Sequence, residues 1–188
     1  MIPEWTNAHI LPPIRPQEEG HSRDRSPYRT SLVPVVERFA ISNERIAILD
    51  GLLSYREELR KVGLMDGFQW LNGSFMEHVE ERENRPPKDV DVVTFARLPE
   101  GETQRTLAQR AGYLFDPKQT KTRFKVDAYF VELGLATTIE TVRSVSYWYS
   151  MWSHRRDQMW KGFVQIGLDD TDEEARYLLE QMREEQHA

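Results

Sequence analysis

Asp89 and Asp91 stand two apart in DVDVVTFA, and Asp127 lies in KVDAYFV. Residues i and i+2 of a β-strand leave the same face, so carboxylates at that spacing can converge on a divalent cation. Magnesium takes hard oxygen ligands, typically one or two carboxylates completed by substrate phosphates. Val90, Val92, Val93 and Phe95 make the surroundings apolar, a pattern that sets carboxylates at the rim of a buried sheet. Asp is disfavoured in strands, and a role as a third metal-facing carboxylate on a neighbouring strand accounts for Asp127 between Val126 and Ala128. With 31 Asp and Glu in 188 residues, a pair at this spacing is common by itself and also fits a solvated strand face.

Gly73-Ser74 follows the apolar run GFQWLN. Glycine lets a backbone approach a phosphate closely, and a serine hydroxyl at a helix N-terminus can donate to a phosphate oxygen; the same pair also fits an ordinary strand-to-helix turn with Ser as cap. Between Gln104 and Lys125 the basic residues Arg105, Arg110, Lys118, Lys121, Arg123 and Lys125 face one acid, Asp116, and SHRRDQMWKG adds His154, Arg155, Arg156 and Lys161. Lys121, Arg155 and Lys161 are the cations expected to meet a triphosphate, with Arg105 and Arg110 on a solvated face. Tyr147, Trp148, Tyr149, Trp152 and Trp160 could stack a base, but such a stripe fits core equally well, and Tyr149 and Trp152 are expected inside. His154 reads as a ligand, a general base or a hydrogen-bonded structural residue.

The elements that must position these groups follow from the pattern. A helix is expected behind Ser42-Asn43 with Ile46, Leu49, Leu53, Leu59 and Val62 on one face, ending at Gly63. GFQWLN reads as a strand, with a second helix starting at Asn72-Gly73-Ser74, and ERENRPPK as a charged, proline-broken loop into the strand DVDVVTFA. A third helix fits Thr103 to Tyr113, FDPKQTKT a turn and connector, and RFKVDAYFVEL a strand from Arg123. Thr137 with Glu140 predicts a capping box before a helix with Val142, Val145, Tyr149 and Trp152 on one face; GFVQIGL is a further strand, and Thr171 with Glu174 caps a short acidic helix whose Ala175, Leu178, Leu179 and Met182 form a stripe. The expected class is α/β (α+β), a small mixed sheet flanked by helices. Three segments are expected: a Pro-rich N-terminal arm over residues 1–28, solvated or strapping Trp5 and Ile10 onto a neighbour; a main domain over 29–168; and the acidic C-terminal helix over 169–188.

Composition excludes several classes. There is no cysteine, hence no disulfide, thiolate metal site or cysteine nucleophile, and a net charge of -6 argues against a general basic coat for duplex nucleic acid. No apolar run approaches a membrane span, and MIPEWTNAHILPPI lacks a secretory pattern, so no membrane association and a cytoplasmic location are expected. Neither G-x-G-x-x-G nor G-x-x-x-x-G-K-[ST] occurs.

Gly73-Ser74, the pair Asp89 and Asp91, and the later Asp127 come in the order that marks the nucleotidyltransferase superfamily of the polymerase-β type, which the chain resembles. Asn72 stands where that signature carries an apolar residue, and Pro86-Pro87 lengthen the loop before the acids. A closer likeness, from about Phe39 to Leu168 through DGFQWLNGSF, DVDVVTF, LFDPKQTK, DAYFVEL and YWYSMWSHRRD, is to a group of small bacterial nucleotidyltransferase-like proteins. The resemblance implies a Mg²⁺- or Mn²⁺-dependent enzyme moving a nucleoside monophosphate from an NTP such as ATP to a hydroxyl of a protein, RNA or small molecule, in settings that include toxin–antitoxin and phage-defence loci. On it, Asp89, Asp91 and Asp127 bind metal and act in catalysis, Gly73 and Ser74 position phosphates, and Lys121, Arg155 and Lys161 neutralise them. The rival expectation is a catalytically inactive subunit of the same fold that binds a protein partner through its N-terminal arm or C-terminal helix.

Overall fold

The computed structural model describes residues 1–134 and 136–187. Five strands, β1 (Tyr28–Thr30), β2 (Gly67–Asn72), β3 (Val90–Ala96), β4 (Val126–Glu132) and β5 (Val164–Gly167), form one mixed sheet in the order β1-β5-β2-β3-β4. β1 pairs parallel with β5 and β3 parallel with β4, while β2 runs antiparallel to both its neighbours. The helices are α1 (Leu32–Phe39), α2 (Asn43–Lys61), α3 (Val79–Glu83), α4 (Gln104–Ala111), α5 (Pro117–Phe124), α6 (Ile139–Trp152) and α7 (Glu173–His187). The class is thus mixed α+β, with helices on both faces of the sheet.

Alternation along the strands sorts the two faces. Leu71, Val90, Val92, Val126, Ala128, Val164 and Ile166 point into the larger core, where they meet Val35, Val36 and Phe39 of α1, Leu49, Leu52 and Leu59 of α2, and Leu179 of α7. The opposite set, Trp70, Val93, Phe95 and Phe163, packs under α6 through Trp152, Val145 and Trp148. This second layer is thin: Val142 and Tyr147 on α6 are 52% and 59% exposed.

Several elements depart from expectation. β1 and α1 are additions; α1 carries Pro34 in its first turn, where a missing N–H costs nothing, and that proline hides a clean apolar face of Leu32, Val35, Val36 and Phe39. FDPKQTKT is no connector but the body of α5, capped by the Asp116 side chain on Lys118 N with Pro117 at the first position, so β4 starts at Val126 and not at Arg123. The helix expected from Asn72-Gly73-Ser74 is a single 3-10 turn, Ser74–Met76, followed by the short α3. α6 is capped by Thr138 on Thr141 N, one residue beyond the Thr137 and Glu140 box, and α7 begins at Glu173 after Asp172, whose carboxylate is taken by the buried Arg56. Val142 faces outward, and Tyr149 is 36% exposed, its ring edge-on to Trp70 and Phe163 and its hydroxyl donating to the Ser26 carbonyl at 3.3 Å. The stripe of α7 is as read, with Ala175 and Leu179 buried and Leu178 and Met182 beside them.

The N-terminal stretch is not a free arm. Ile2, Ile10 and Leu11 are buried in the chain's own core, Trp5 Nε1 donates to the Met76 carbonyl at 2.9 Å, and the charged middle is solvated. Trp5 stacks on His78 and carries the Arg38 guanidinium over its ring at 4.1 Å.

Candidate active site

Asn72, Asp91 and Asp127 occupy one row across the sheet, since Asn72 is the register partner of Asp91 and Asp91 of Asp127. Cross-strand partners share a face, and this row continues the Trp70, Val93, Tyr129 side, the face covered by α6. It lies at the end of the sheet where β2 finishes and β3 and β4 begin. Asp89 sits one residue ahead of β3. The parallel pairing of β3 with β4 therefore converts two acids far apart in sequence into neighbours.

Burial in this row works against charge. The Asp91 carboxyl is pushed up to about 6, first by burial and then by the charges of Asp89 and Asp127, against the opposing pull of Lys161 and Lys121. Gly73 stands directly over it. At φ 83° and ψ -169° its backbone is one that L residues avoid, and a Cβ there would lie 2.9 Å from the Asp91 carboxyl carbon. The glycine is required by both the turn and the carboxylate.

The chain from Gly73 to Asp89 leaves the sheet between two antiparallel neighbours, and buried cations hold this excursion down. Arg45, fully buried on α2, donates to the carbonyls of Phe75 and Glu77 at 2.7 and 2.6 Å and forks onto the Glu80 carboxylate at 2.6 and 2.9 Å. Lys161 Nζ donates to Glu77 Oε1 at 2.7 Å and to the Gly73 carbonyl at 3.3 Å, and Arg82 faces the other Glu77 oxygen at 2.7 Å. Residues 153–161 fold back after α6 as a small hairpin, with Lys161 N on Ser153 O and Arg155 N on Met159 O. A cleft of about 760 Å³ opens between this hairpin, the excursion and the carboxylate row.

A family model described as "Family of unknown function (DUF6932)" matches residues 3–167. The chain belongs to the DUF6932 family. No curated protein and no solved structure matches it. The match takes in the packed N-terminal stretch and every strand of the sheet, and stops before α7.

All eight residues singled out in the sequence of this DUF6932 chain line the one cleft: Gly73, Ser74, Asp89, Asp91, Lys121, Asp127, Arg155 and Lys161. They are not equivalent. Lys121, in the last turn of α5, sets its Nζ 2.7 Å from Asp127 Oδ2 and 3.1 Å from Asp89 Oδ2, and its ammonium is held well above the ordinary lysine range by the Asp127 hydrogen bond and then by Asp89. Arg155 pairs with Asp157 at 2.8 Å on the rim. Lys161, with Nζ buried between Glu77 and Gly73, is a fastening of the turn, not an open phosphate cation. His154 is in the wall, its Nδ1 3.1 Å from the Arg155 carbonyl. Of the aromatic group only Trp152 lines the cleft, joined there by Tyr129, while Trp160 is 64% exposed.

Asn72, Glu77, Arg82 and Arg85 also line the DUF6932 cleft without having been singled out. Asn72 Nδ2 donates to the Trp152 carbonyl at 3.1 Å, which ties the end of α6 to the carboxylate row, and its buried Oδ1 has no partner among the described residues. The departure from an apolar residue at that position was its signal. Glu77 and Arg45 had none, being polar residues among many in charged segments.

The three carboxylates offer hard oxygen donors; Asp89 and Asp127 share one ammonium, and at Asp91 burial and the two neighbouring acids outweigh the pull of Lys161 and Lys121, an electrostatic character that suits a hard divalent cation. Among the described residues no three carboxylate or imidazole groups are drawn close enough to hold an ion unaided. Lys121 Nζ stands between two of them.

Proposed function

We propose that this DUF6932 chain is a metal-dependent nucleotidyltransferase that moves a nucleoside monophosphate from an NTP to an acceptor hydroxyl. The observation that carries the reading is the in-register pair Asp91 and Asp127, with Asp89 beside it and the Gly73 backbone against the Asp91 carboxylate. That arrangement joins hard ligands to a turn that a phosphate can approach. Asp89, Asp91 and Asp127 would hold Mg²⁺ or Mn²⁺, which supplies charge stabilisation for the transferring phosphoryl group. The Gly73-Ser74 backbone and the Ser74 hydroxyl bind and orient the phosphates. Arg155 and the exposed Arg85 and Arg156 in the same wall balance charge on the departing pyrophosphate. The Asp127 carboxylate accepts the proton of the acceptor hydroxyl. The acceptor is a protein, an RNA or a small molecule, the setting a toxin–antitoxin or phage-defence system, and the compartment the cytoplasm; among the described residues no helix is long and apolar enough to cross a membrane.

One observation favours the second reading, an inactive subunit that binds a protein partner: Lys121 already bridges Asp89 and Asp127. Incubation of the pure chain with each α-labelled NTP, Mg²⁺ or Mn²⁺ and cell extract separates the two. Label transferred to protein, RNA or a small molecule, and lost in Asp89→Asn with Asp91→Asn, supports the enzyme. No transfer with any of the four nucleotides overturns it.

A further inference from the structure

Lys121 is rooted in a fixed backbone and carries a movable head. Asp116 caps α5, Thr120 beside Lys121 is fully buried, and the helix is closed by the left-handed Lys125, whose N–H donates to the Lys121 carbonyl at 3.0 Å. The Lys121 side chain, by contrast, is 46% exposed. Its ammonium touches one oxygen each of Asp89 and Asp127, and an ammonium and a divalent ion cannot share that position. Of the other cations of the cleft, Lys161 pairs with Glu77, Arg82 with Glu77 and Glu83, Arg85 with Glu83 and Arg155 with Asp157, while Arg156 is exposed on the wall.

We propose that Lys121 is an exchange cation: it bridges Asp89 and Asp127 in the metal-free chain, is expelled when a divalent ion takes those oxygens, and then turns its freed ammonium to the triphosphate. The inference rests on the nucleotidyltransferase reading. It makes metal and nucleotide binding mutually reinforcing, because the ion releases the cation that the phosphates use. It also makes the chain compete with its own metal, so that removing a positive charge and removing an obstacle are one substitution.

Lys121→Met keeps the aliphatic stem and deletes the charge. Binding of Mn²⁺ alone is measured by calorimetry or electron paramagnetic resonance, and binding of ATP is measured at saturating Mn²⁺. The expected result is a pair of opposite signs: Mn²⁺ about tenfold tighter than in the wild type, as for loss of one charge-assisted competitor, and ATP weaker. Unchanged or weaker Mn²⁺ binding in Lys121→Met overturns the exchange while leaving the metal site intact. Absence of Mn²⁺ binding in wild type and variant alike overturns the transferase reading, and the exchange with it. A second measurement uses the wild type: acetylation of Lys121 by an amine-reactive reagent, followed by mass spectrometry, should accelerate when Mn²⁺ is added to the EDTA-treated chain. Protection by Mn²⁺ would contradict the release.

Discussion

Asp91 carries the charge conflict of the cleft, and its proton reports it. Its carboxyl lies at about 6 in the folded chain against 3.8 in the open one, so between those values the native state holds a proton that the unfolded state has lost. The stabilisation is complete below pH 3.8 and is lost as the pH rises through about 6. In metal-free buffer the unfolding free energy should therefore fall, by on the order of 3 kcal/mol from this group, as the pH is raised from acid to neutral. Urea denaturation across that window checks it: Asp91→Asn should flatten the slope, and Mg²⁺, which favours the carboxylate, should oppose it. Asp127 belongs to a different step. If it takes the acceptor's proton, Asp127→Ala should lower the single-turnover rate far more than nucleotide affinity, while Asp89→Ala lowers both, since an interaction made in the transition state acts on kcat more than on ground-state binding. Wild-type turnover in Asp127→Ala would leave that carboxylate a tolerated polar residue on a strand.

The excursion between β2 and β3 is the element on which the cleft depends: Phe75, Met76 and Val79 root it in the protein, and its polar remainder is held by buried charge. Lys161 and Glu77 are both nearly inaccessible, and removing one member of such a pair strands the other. Glu77→Leu, which abandons both Lys161 and Arg82, should cost about 3–5 kcal/mol in urea denaturation, and adding Lys161→Met should recover part of it. Full additivity of the two losses would mean that the pair is not coupled. The strands that carry the acids were legible for a plain reason: DVDVVTFA is rich in β-branched residues, and its neighbours alternate as a sheet demands. α5 was not, because Thr120 is its one buried residue and no apolar period marks it; its start signal, Asp116-Pro117, was present and went unused. Residue type, spacing and the family resemblance picked out the acids, Gly73 and Lys121, which line one cleft, but not the pairing of Lys121 with Asp89 and Asp127. The true partner of Lys161 was not, since a buried ion pair across 84 positions leaves no local trace.

At the scale of the whole chain, the cleft is shared by segments that reach it from the sheet, from α5 and from the hairpin after α6, and the N-terminal stretch braces it through Trp5 and Met76. A ligand bound there ties these parts together. An NTP with Mg²⁺ at 100 times its dissociation constant should add about 2.7 kcal/mol to the native state, read as a rise in melting temperature that EDTA abolishes. An equal rise in EDTA would point to phosphate held by arginines and lysines without a metal.

The parallel register of β3 and β4 has a kinetic side. Asp91 meets Asp127 only when those two strands pair across α4 and α5, so the acids are brought together by the same event that closes the sheet on that side. Their repulsion is then a barrier to assembly and not merely a cost of the finished fold, and pairing over such a separation is already slow on entropic grounds. In the absence of metal, Asp91→Asn should steepen the path to the native state, refolding faster than the wild type at neutral pH in stopped-flow experiments if β3 and β4 are joined in the folding transition state. The chain would thus fold most readily where its chemistry is least charged, with the divalent ion acting as a folding aid before it serves any reaction.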